Sequence, residues 1–279
     1  MFNKARVRDT ATTLWTVWQR GFLDAVVAPR RFRQIMPELR RVSDMLYHPG
    51  IASLDPSRIP GSETPIQILN LDSTYGGMPP QDLYTLLRVV RWAKPKKIFE
   101  IGTFQGMTTA HLALHSDAEI YTLDLPRELA GDLQGYSSAD RALLQSREEI
   151  GRAYRRINAN GRIQQLFGDS RTFDFRPYRG SIDLVLVDAC HLFDYVMSDS
   201  RNAFEMLGDQ GVILWHDFGN SGDVNRALKV LAKQVPIHHL EGTHLAMYAR
   251  GVSLSEKLQS RPDEASSKSF ANGASGGLR

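Results

Sequence analysis

Five short apolar segments of this 279-residue chain each end in side chains that can do chemistry. Carboxylates and imidazoles bind hydroxyl groups, hold divalent cations and move protons. In an open parallel sheet, ligands bind beyond the carboxyl ends of the strands, so these groups would meet in one site. The five endings are Glu100-x-Gly102, Asp124, Gly168-Asp169-Ser170, Asp188-Ala189-Cys190-His191 and His216-Asp217.

The first of these segments continues as Glu100-x-Gly102-x-x-x-Gly106, and a helical pattern follows. Glycine lets the backbone approach a ligand closely, and a helix N-terminus offers N–H groups to an anion. A dinucleotide motif would read Gly-x-Gly-x-x-Gly, but Thr103 and Phe104 stand where the next glycine would be. The spacing therefore argues against NAD or FAD, although any strand, glycine turn and helix of an α/β protein would share it.

The acid at the end of the second segment fits a nucleoside ligand. Asp124 follows Gly106 by 18 positions, close to the roughly 20 residues expected when an acid at the end of the second strand binds ribose hydroxyls. The two features together predict a cofactor that carries a ribose.

The glycine motif resembles the first motif of class I S-adenosylmethionine-dependent methyltransferases. Segments 187–196 and 214–217 are similar to one branch of these enzymes, related to macrocin O-methyltransferase and the cephalosporin-hydroxylase-like proteins, and more distantly to catechol O-methyltransferase. The resemblance extends from about Gly76 to Tyr248. That branch usually reads Asp-Gly-x-His-x-Tyr, and this chain departs from it at Ala189 and Phe193.

The resemblance implies an α/β fold and a set of cofactor contacts. The fold is a Rossmann-like, doubly wound, mostly parallel seven-stranded sheet with an antiparallel last strand, preceded by an N-terminal helical extension. The turn would admit the methionine part of S-adenosyl-L-methionine, while Glu100 would orient its ammonium group through the turn. Ribose and adenine would lie against the later strand ends. The predicted cofactor-binding residues are Glu100, Gly102, Thr103, Gly106, Asp124, Asp169 and Ser170.

The last two strand ends predict the catalytic groups. Two carboxylates and an imidazole can hold a divalent cation, so Asp188, His216 and Asp217 are the predicted metal ligands. In the metal-dependent relatives, acids at the positions matching Asp188 and Asp217 hold magnesium. His216 takes one of the places held there by a further acid or amide, which favours a softer metal or a role as the base. His191 is a second candidate base, or else a hydrogen-bonded structural histidine, and the predicted catalytic residues are His191, His216 and Asp188.

These features favour a methyltransferase that acts on an oxygen of a small molecule or sugar, with Mg²⁺ or another divalent cation as a candidate aid. N-methylation stays open. Two alternatives remain at this stage. One is a non-catalytic adenosylmethionine-binding or assembly protein, and the other is a nicotinamide-dependent oxidoreductase.

The chain is predicted to have three parts, which are a basic helical extension over 1–60, a methyltransferase domain over 76–250 and a disordered tail over 251–279. Residues 1–50 hold nine Lys or Arg against four acids, and an amphipathic helix is predicted over 10–28. Charged residues interrupt it, which excludes a signal peptide or a membrane span. Packing on the core or on a second subunit is favoured over contact with an anionic membrane surface.

The remaining expectations concern the compartment, the partners and one insertion. A net charge of +3 with interspersed signs gives no nucleic-acid signature, and the single Cys190 excludes an internal disulfide. We expect a cytoplasmic enzyme with a small-molecule or sugar acceptor, as a candidate homo-oligomer. The long polar insertion after Asp124 predicts a helix over 139–156, as a lid or substrate wall or as a solvated peripheral helix.

Overall fold

The computed structural model describes residues 51–60, 65–69, 77–126, 128, 141–142, 144–145, 149–159 and 161–251. The predicted helix over 10–28 and the predicted tail after 251 lie outside these residues. The strands are β1 (Ala52–Leu54), β2 (Lys97–Ile101), β3 (Glu119–Asp124), β4 (Ile163–Phe167), β5 (Ile182–Val187), β6 (Leu207–Trp215), β7 (His238–Leu240) and β8 (Ala246–Ala249). The helices are α1 (Pro80–Ala93), α2 (Met107–His115), α3 (Phe193–Met206) and α4 (Gly222–Leu231).

The described strands form one sheet of eight in the order β1-β7-β8-β6-β5-β2-β3-β4. Strand β8 runs antiparallel to both β6 and β7, and the other pairs are parallel. The predicted doubly wound, mostly parallel sheet with an antiparallel last strand is confirmed. The strand order reverses between β2 and β5, and this is where a ligand is expected in such sheets.

Each face of the sheet buries its own hydrophobic core. Successive residues of a strand point to opposite faces, so Ile98 packs with α1 and α2 while Phe99 packs with α3 and α4. Both side chains are fully buried. Because both faces are covered, the central strands β2, β5 and β6 are mostly apolar, which is why their positions could be predicted from sequence.

Pro95 explains where α1 ends. The helix ends at Ala93, and Lys94 takes a left-handed backbone conformation with φ 48° while its N–H bonds to the carbonyl of Val90. A proline at the next position cannot continue a helix and disfavours helical geometry before it. Strand β2 then begins at Lys97.

The sheet has one strand more than the seven that were predicted. Strand β1 pairs in parallel with β7, with Ala52 opposite His238 and Leu54 opposite Leu240. The side chain of Arg88 in α1 holds the turn after β1, since its Nη2 donates to the carbonyl of Ile59 at 2.9 Å. A strand of three residues is too short to show an apolar alternation of its own. It forms because it pairs with β7.

The end of the insertion is packed against the glycine turn. The helix predicted to run to residue 156 does not reach it, because Gly151 has φ +74° and a 3₁₀ turn follows over Tyr154–Arg156. The N–H of Gly151 donates to the carbonyl of Phe104 at 3.0 Å, and that of Ala153 donates to Gln105 at 2.7 Å. These residues therefore form a wall beside the turn.

Within the described ranges, no helix combines the length and apolar character needed to cross a membrane.

Candidate active site

A cavity of about 790 Å³ opens at the carboxyl ends of β2, β3, β4, β5 and β6. Its lining includes every predicted site residue except Glu100. The predicted residues that line it are Gly102, Thr103, Gly106, Asp124, Asp169, Ser170, Asp188, His191, His216 and Asp217. Its size lies within the range of roughly 300–1,000 Å³ that is usual for ligand and cofactor sites.

The glycines of the turn are required by neighbouring backbone as well as by any ligand. Gly102 has φ +108°, and a Cβ there would lie 1.9 Å from the carbonyl oxygen of Asp188. A Cβ on Gly106 would lie 2.6 Å from Cδ1 of Tyr154 and 2.8 Å from Cα of Gly151. The sequence reasoning expected these glycines to leave room for the cofactor. The structure gives a different first cause, which is the close passage of β5 and of the insertion.

Glu100 lies behind the turn and is fully buried. Its Oε2 accepts hydrogen bonds from the hydroxyls of Thr109 and Thr122, at 2.5 and 2.6 Å. Its Oε1 finds no hydrogen-bond partner among the described residues. Burial raises the pKa of Glu100 to about 8, so that the group is largely protonated at neutral pH. That Glu100 orients the ammonium group of the cofactor stays a prediction. Because the side chain lies behind the turn, it would have to do so through the turn.

Asp124 both lines the cavity and braces the turn. Its Oδ2 accepts from the N–H of Phe104 at 2.5 Å, and its Oδ1 accepts from Leu125 at 2.7 Å. A carboxylate has about four lone-pair sites, so it can hold these bonds and still accept from ligand hydroxyls. Phe104 has a positive φ of 50°, and the bond from Asp124 holds the N–H of this residue in place.

Asp169 is held by a tyrosine that the sequence reasoning did not select. Its Oδ2 accepts from the hydroxyl of Tyr195 at 3.2 Å, and its Oδ1 accepts from the N–H of Arg171 at 2.9 Å. Tyr195 also lines the cavity. It lies within segment 187–196 that carried the resemblance, and an aromatic residue in the first turn of a helix beginning at a strand end was the available signal.

The four polar groups at the ends of β5 and β6 come together as one cluster. His216 Nδ1 lies 3.0 Å from Asp188 Oδ1 and 3.2 Å from Asp217 Oδ2. Asp217 Oδ2 also lies 2.7 Å from His191 Nε2. Ligand atoms of Asp188, His216 and Asp217 all lie within 4.8 Å of one another. We call these three residues and His191 the strand-end cluster.

Two further residues extend the cluster on its buried side. Asp82, in the first turn of α1, places its Oδ2 3.1 Å from His216 Nε2 and 3.0 Å from His244 Nδ1. Asp82 is only 1% exposed. The sequence reasoning missed it because it lies 134 positions before His216, and an acid in the first turn of a helix is common for reasons of helix polarity alone.

Charge explains how this many ionisable groups share a small volume. Burial by itself would lower the pKa of His216, but the carboxylates of Asp188, Asp217 and Asp82 outweigh it and raise that pKa well above its usual range. Burial would raise the pKa of Asp217, yet its bonds to His191 and His216 lower it. The pKa of Asp82 is lowered as well, by its contacts with His216 and His244, which outweigh its burial. Asp82 and Asp217 are therefore ionised at neutral pH, and a positive charge is favoured beside them.

A family model described as a methyltransferase domain matches residues 99–218. Over this segment the chain is similar to a methyltransferase domain. The matched segment holds the glycine turn, Asp124, Asp169 and the whole strand-end cluster. The predicted S-adenosylmethionine-dependent methyltransferase is thereby confirmed, and the nicotinamide-dependent alternative finds no support. The branch, the acceptor and the metal stay predictions.

Comparison with curated proteins found no match. Among solved structures, the O-methyltransferase TomG of Streptomyces achromogenes, in complex with SAM, is 19% identical with a TM-score of 0.40 over 65% of this chain and 82% of its own. The SAH-bound methyltransferase PaMTH1 of Podospora anserina is 16% identical with a TM-score of 0.46 over 75% and 93%. An O-methyltransferase from Bacillus cereus in complex with SAH is 16% identical with a TM-score of 0.44 over 63% and 84%. At these values the likenesses carry no argument about chemistry.

Proposed function

We propose that this methyltransferase transfers the methyl group of S-adenosyl-L-methionine to a hydroxyl oxygen of a small molecule or sugar. The observation that carries the proposal is the strand-end cluster, because it places a histidine and two carboxylates on the wall of the cavity that also holds the glycine turn. Such groups are what activation of a hydroxyl requires.

The cofactor would lie across the carboxyl ends of β2, β3 and β4. Gly102, Thr103 and Gly106 would contact its methionine part, Asp124 its ribose hydroxyls, and Asp169 with Ser170 its adenine. The bonds that fix Asp124 and Asp169 support this assignment, because both carboxylates line the cavity in held positions. A held group loses little conformational freedom when the ligand binds.

The reaction forms one bond and breaks one. The acceptor oxygen bonds to the methyl carbon while the bond between sulfur and that carbon breaks, and the hydroxyl proton leaves to a base. His191 is the proposed base, since Asp217 lies 2.7 Å from its Nε2 and would stabilise the imidazolium that forms. Positioning of the acceptor in line with the breaking bond supplies much of the rate enhancement.

We also propose a divalent cation between Asp188, His216 Nδ1 and Asp217. The donor set fits, because these atoms lie 3.0 and 3.2 Å apart, about the spacing of neighbouring ligands around one ion that binds at about 2.1 Å. Such an ion would lower the pKa of a bound hydroxyl. The acids would bind it and His216 would complete the set, with His191 left as the proton acceptor.

The test compares Asp217→Ala with Asp117→Asn, an exposed acid at the opposite end of the sheet. Removal of Asp217 should lower turnover at least tenfold in a labelled methyl-transfer assay while calorimetry shows nearly unchanged cofactor affinity. Asp117→Asn should change neither. Equal turnover in both variants would reject the cluster as the catalytic site, and binding of the cofactor with no transfer to any acceptor would favour a non-catalytic binding protein.

The acceptor is sought first among hydroxylated small molecules that carry sugars, because the resemblance at segments 187–196 and 214–217 is to the branch related to macrocin O-methyltransferase. A panel of sugar-bearing and plain phenolic acceptors separates this branch from the relatives of catechol O-methyltransferase. Methylation confined to phenolic acceptors would reject the sugar proposal.

We further propose that the basic extension over 1–60 mediates self-association or packing in a cytoplasmic enzyme, with peripheral contact to anionic membranes as the alternative. The excess of five positive charges within residues 1–50 supports an acidic partner surface. Flotation with anionic vesicles would favour the membrane alternative.

A further inference from the structure

We propose that Asp82 is a positioning residue of the active site, which holds His216 so that the strand-end cluster prefers a transition-metal ion over Mg²⁺. The inference rests on the cation site proposed above. It concerns a residue on α1, outside the segment 99–218 that matches the methyltransferase model.

The contact between Asp82 and His216 joins two parts of the chain that are distant in sequence. Asp82 belongs to the first turn of α1, whereas His216 directly follows β6. The carboxylate oxygen lies 3.1 Å from His216 Nε2, with Asp82 and His216 at 1% and 9% exposure. Little water reaches this pair, so the hydrogen bond is stronger than the same bond would be at the surface.

Asp82 is itself held in place. Its Oδ1 accepts from the backbone N–H of His244 at 3.2 Å, and its Oδ2 lies 3.0 Å from His244 Nδ1. The loop before β8 thus braces the carboxylate that contacts His216. A carboxylate fixed by these two contacts can fix the ring that it binds.

This arrangement decides which ring nitrogen faces the other acids. When Nε2 donates its proton to Asp82, Nδ1 is directed at Asp188 and Asp217, 3.0 and 3.2 Å away. A ligating histidine almost always donates its other ring N–H to a carboxylate or carbonyl, which orients the ring and makes it a better ligand. Asp82 occupies the place of that outer partner.

The donor set then favours particular ions. Imidazole nitrogen suits transition-metal ions such as Zn²⁺, Fe²⁺ and Ni²⁺, and Mn²⁺ lies at the weak end of the same affinity series. Mg²⁺ takes oxygen ligands almost alone. With Nδ1 directed at the site, one of the three protein ligands is nitrogen. The cluster should therefore bind Mn²⁺ more tightly than Mg²⁺, and the difference should depend on Asp82.

The experiment measures ion binding directly by calorimetry, on the full chain stripped with a chelator and without cofactor or acceptor. MnCl₂ and MgCl₂ are titrated separately into wild type, Asp82→Asn and the exposed control Asp117→Asn. We expect wild type and the control to bind Mn²⁺ more tightly than Mg²⁺. Asp82→Asn should bind Mn²⁺ about 10- to 100-fold more weakly, with its affinity for S-adenosyl-L-homocysteine unchanged.

A second background separates positioning from a general loss of structure. His216→Asp replaces the nitrogen ligand by an oxygen ligand, so its preference should shift toward Mg²⁺, and adding Asp82→Asn should no longer weaken Mn²⁺ binding. Equal weakening by Asp82→Asn in both backgrounds would overturn the inference, because Asp82 would then act without the ring.

Two other outcomes separate failure of the positioning role from failure of the cation site. Unchanged Mn²⁺ affinity in Asp82→Asn would overturn the positioning role alone and leave the cation site. A wild type that binds neither ion would overturn both this inference and the cation part of the proposed function. Methyl transfer itself would still be judged by the comparison of Asp217→Ala with its control.

Discussion

Replacement of Gly102 by alanine should destabilise the whole sheet. The residue has φ +108°, and an added Cβ would lie 1.9 Å from the carbonyl oxygen and 2.5 Å from the carbonyl carbon of Asp188. Neither side can retreat, because the N–H of Gly102 bonds to the carbonyl of Leu123 at 2.8 Å and the N–H of Asp188 bonds to Ile101 at 2.9 Å. The collision is therefore with backbone that is fixed on both sides.

The cost can be worked from two terms. A non-glycine residue in such a backbone conformation costs about 1–3 kcal/mol, and forcing an extra methyl group into a packed site costs about 1–3 kcal/mol. Together they give about 2–6 kcal/mol, which corresponds to a fall in Tm of roughly 5–20 °C for a domain of this size.

Gly180→Ala is the matched control. Gly180 also has a positive φ, of 62°, but nothing lies within 4 Å of its added Cβ. It should lose only the conformational term of about 1–2 kcal/mol. Urea and thermal unfolding of both variants isolate the collision as the difference between them. A Gly102→Ala protein no less stable than Gly180→Ala would refute the reasoning.

Three further predictions concern a buried acid, a tyrosine and the N-terminal segment. Because burial raises the pKa of Glu100 from 4.5 to about 8, the native state keeps this proton to higher pH than the unfolded chain does, and stability from this group falls as pH rises from about 5 to 8. Glu100→Gln lacks that loss, so urea unfolding should show its stability rising relative to wild type between these pH values, and a constant difference would contradict the assignment. Tyr195→Phe removes the 3.2 Å bond to Asp169, so calorimetry should show S-adenosyl-L-homocysteine binding about 2- to 10-fold more weakly, and unchanged affinity would remove Asp169 from the cofactor site. Deletion of residues 1–30 should change the particle size by light scattering without changing cofactor affinity, and an unchanged size would reject self-association through this segment.

The strand ends could be predicted because their signals are local. The run Leu184–Val187 within β5 is apolar throughout, and the acid after it marks the end of the strand, so both the element and its site residue were read from neighbouring positions. The end of α1 was equally local, since Pro95 decides it. The ends of these strands and of α1 can therefore be predicted without knowing which residues pack against them.

What the sequence did not reveal depends on contacts between distant positions. Asp82 looks like an ordinary helix-start acid until His216 and His244 lie beside it. Gly102 looks like a ligand-contacting glycine until the carbonyl of Asp188 is placed next to it. Strand β1 forms because it pairs with β7, and three residues are too few to show from sequence that they form a strand or which strand they pair with.

Strand β1 also bears on where the folded unit can be cut. It covers the outer edge of β7, and the N–H of Glu241 bonds to the carbonyl of Leu54 at 2.9 Å. A protein shortened to begin at residue 76 would lose this cover and leave the backbone groups of His238–Leu240 open to pairing with another chain. Insolubility of such a shortened protein would thus report an uncovered sheet edge, while the residues around the cavity remained intact.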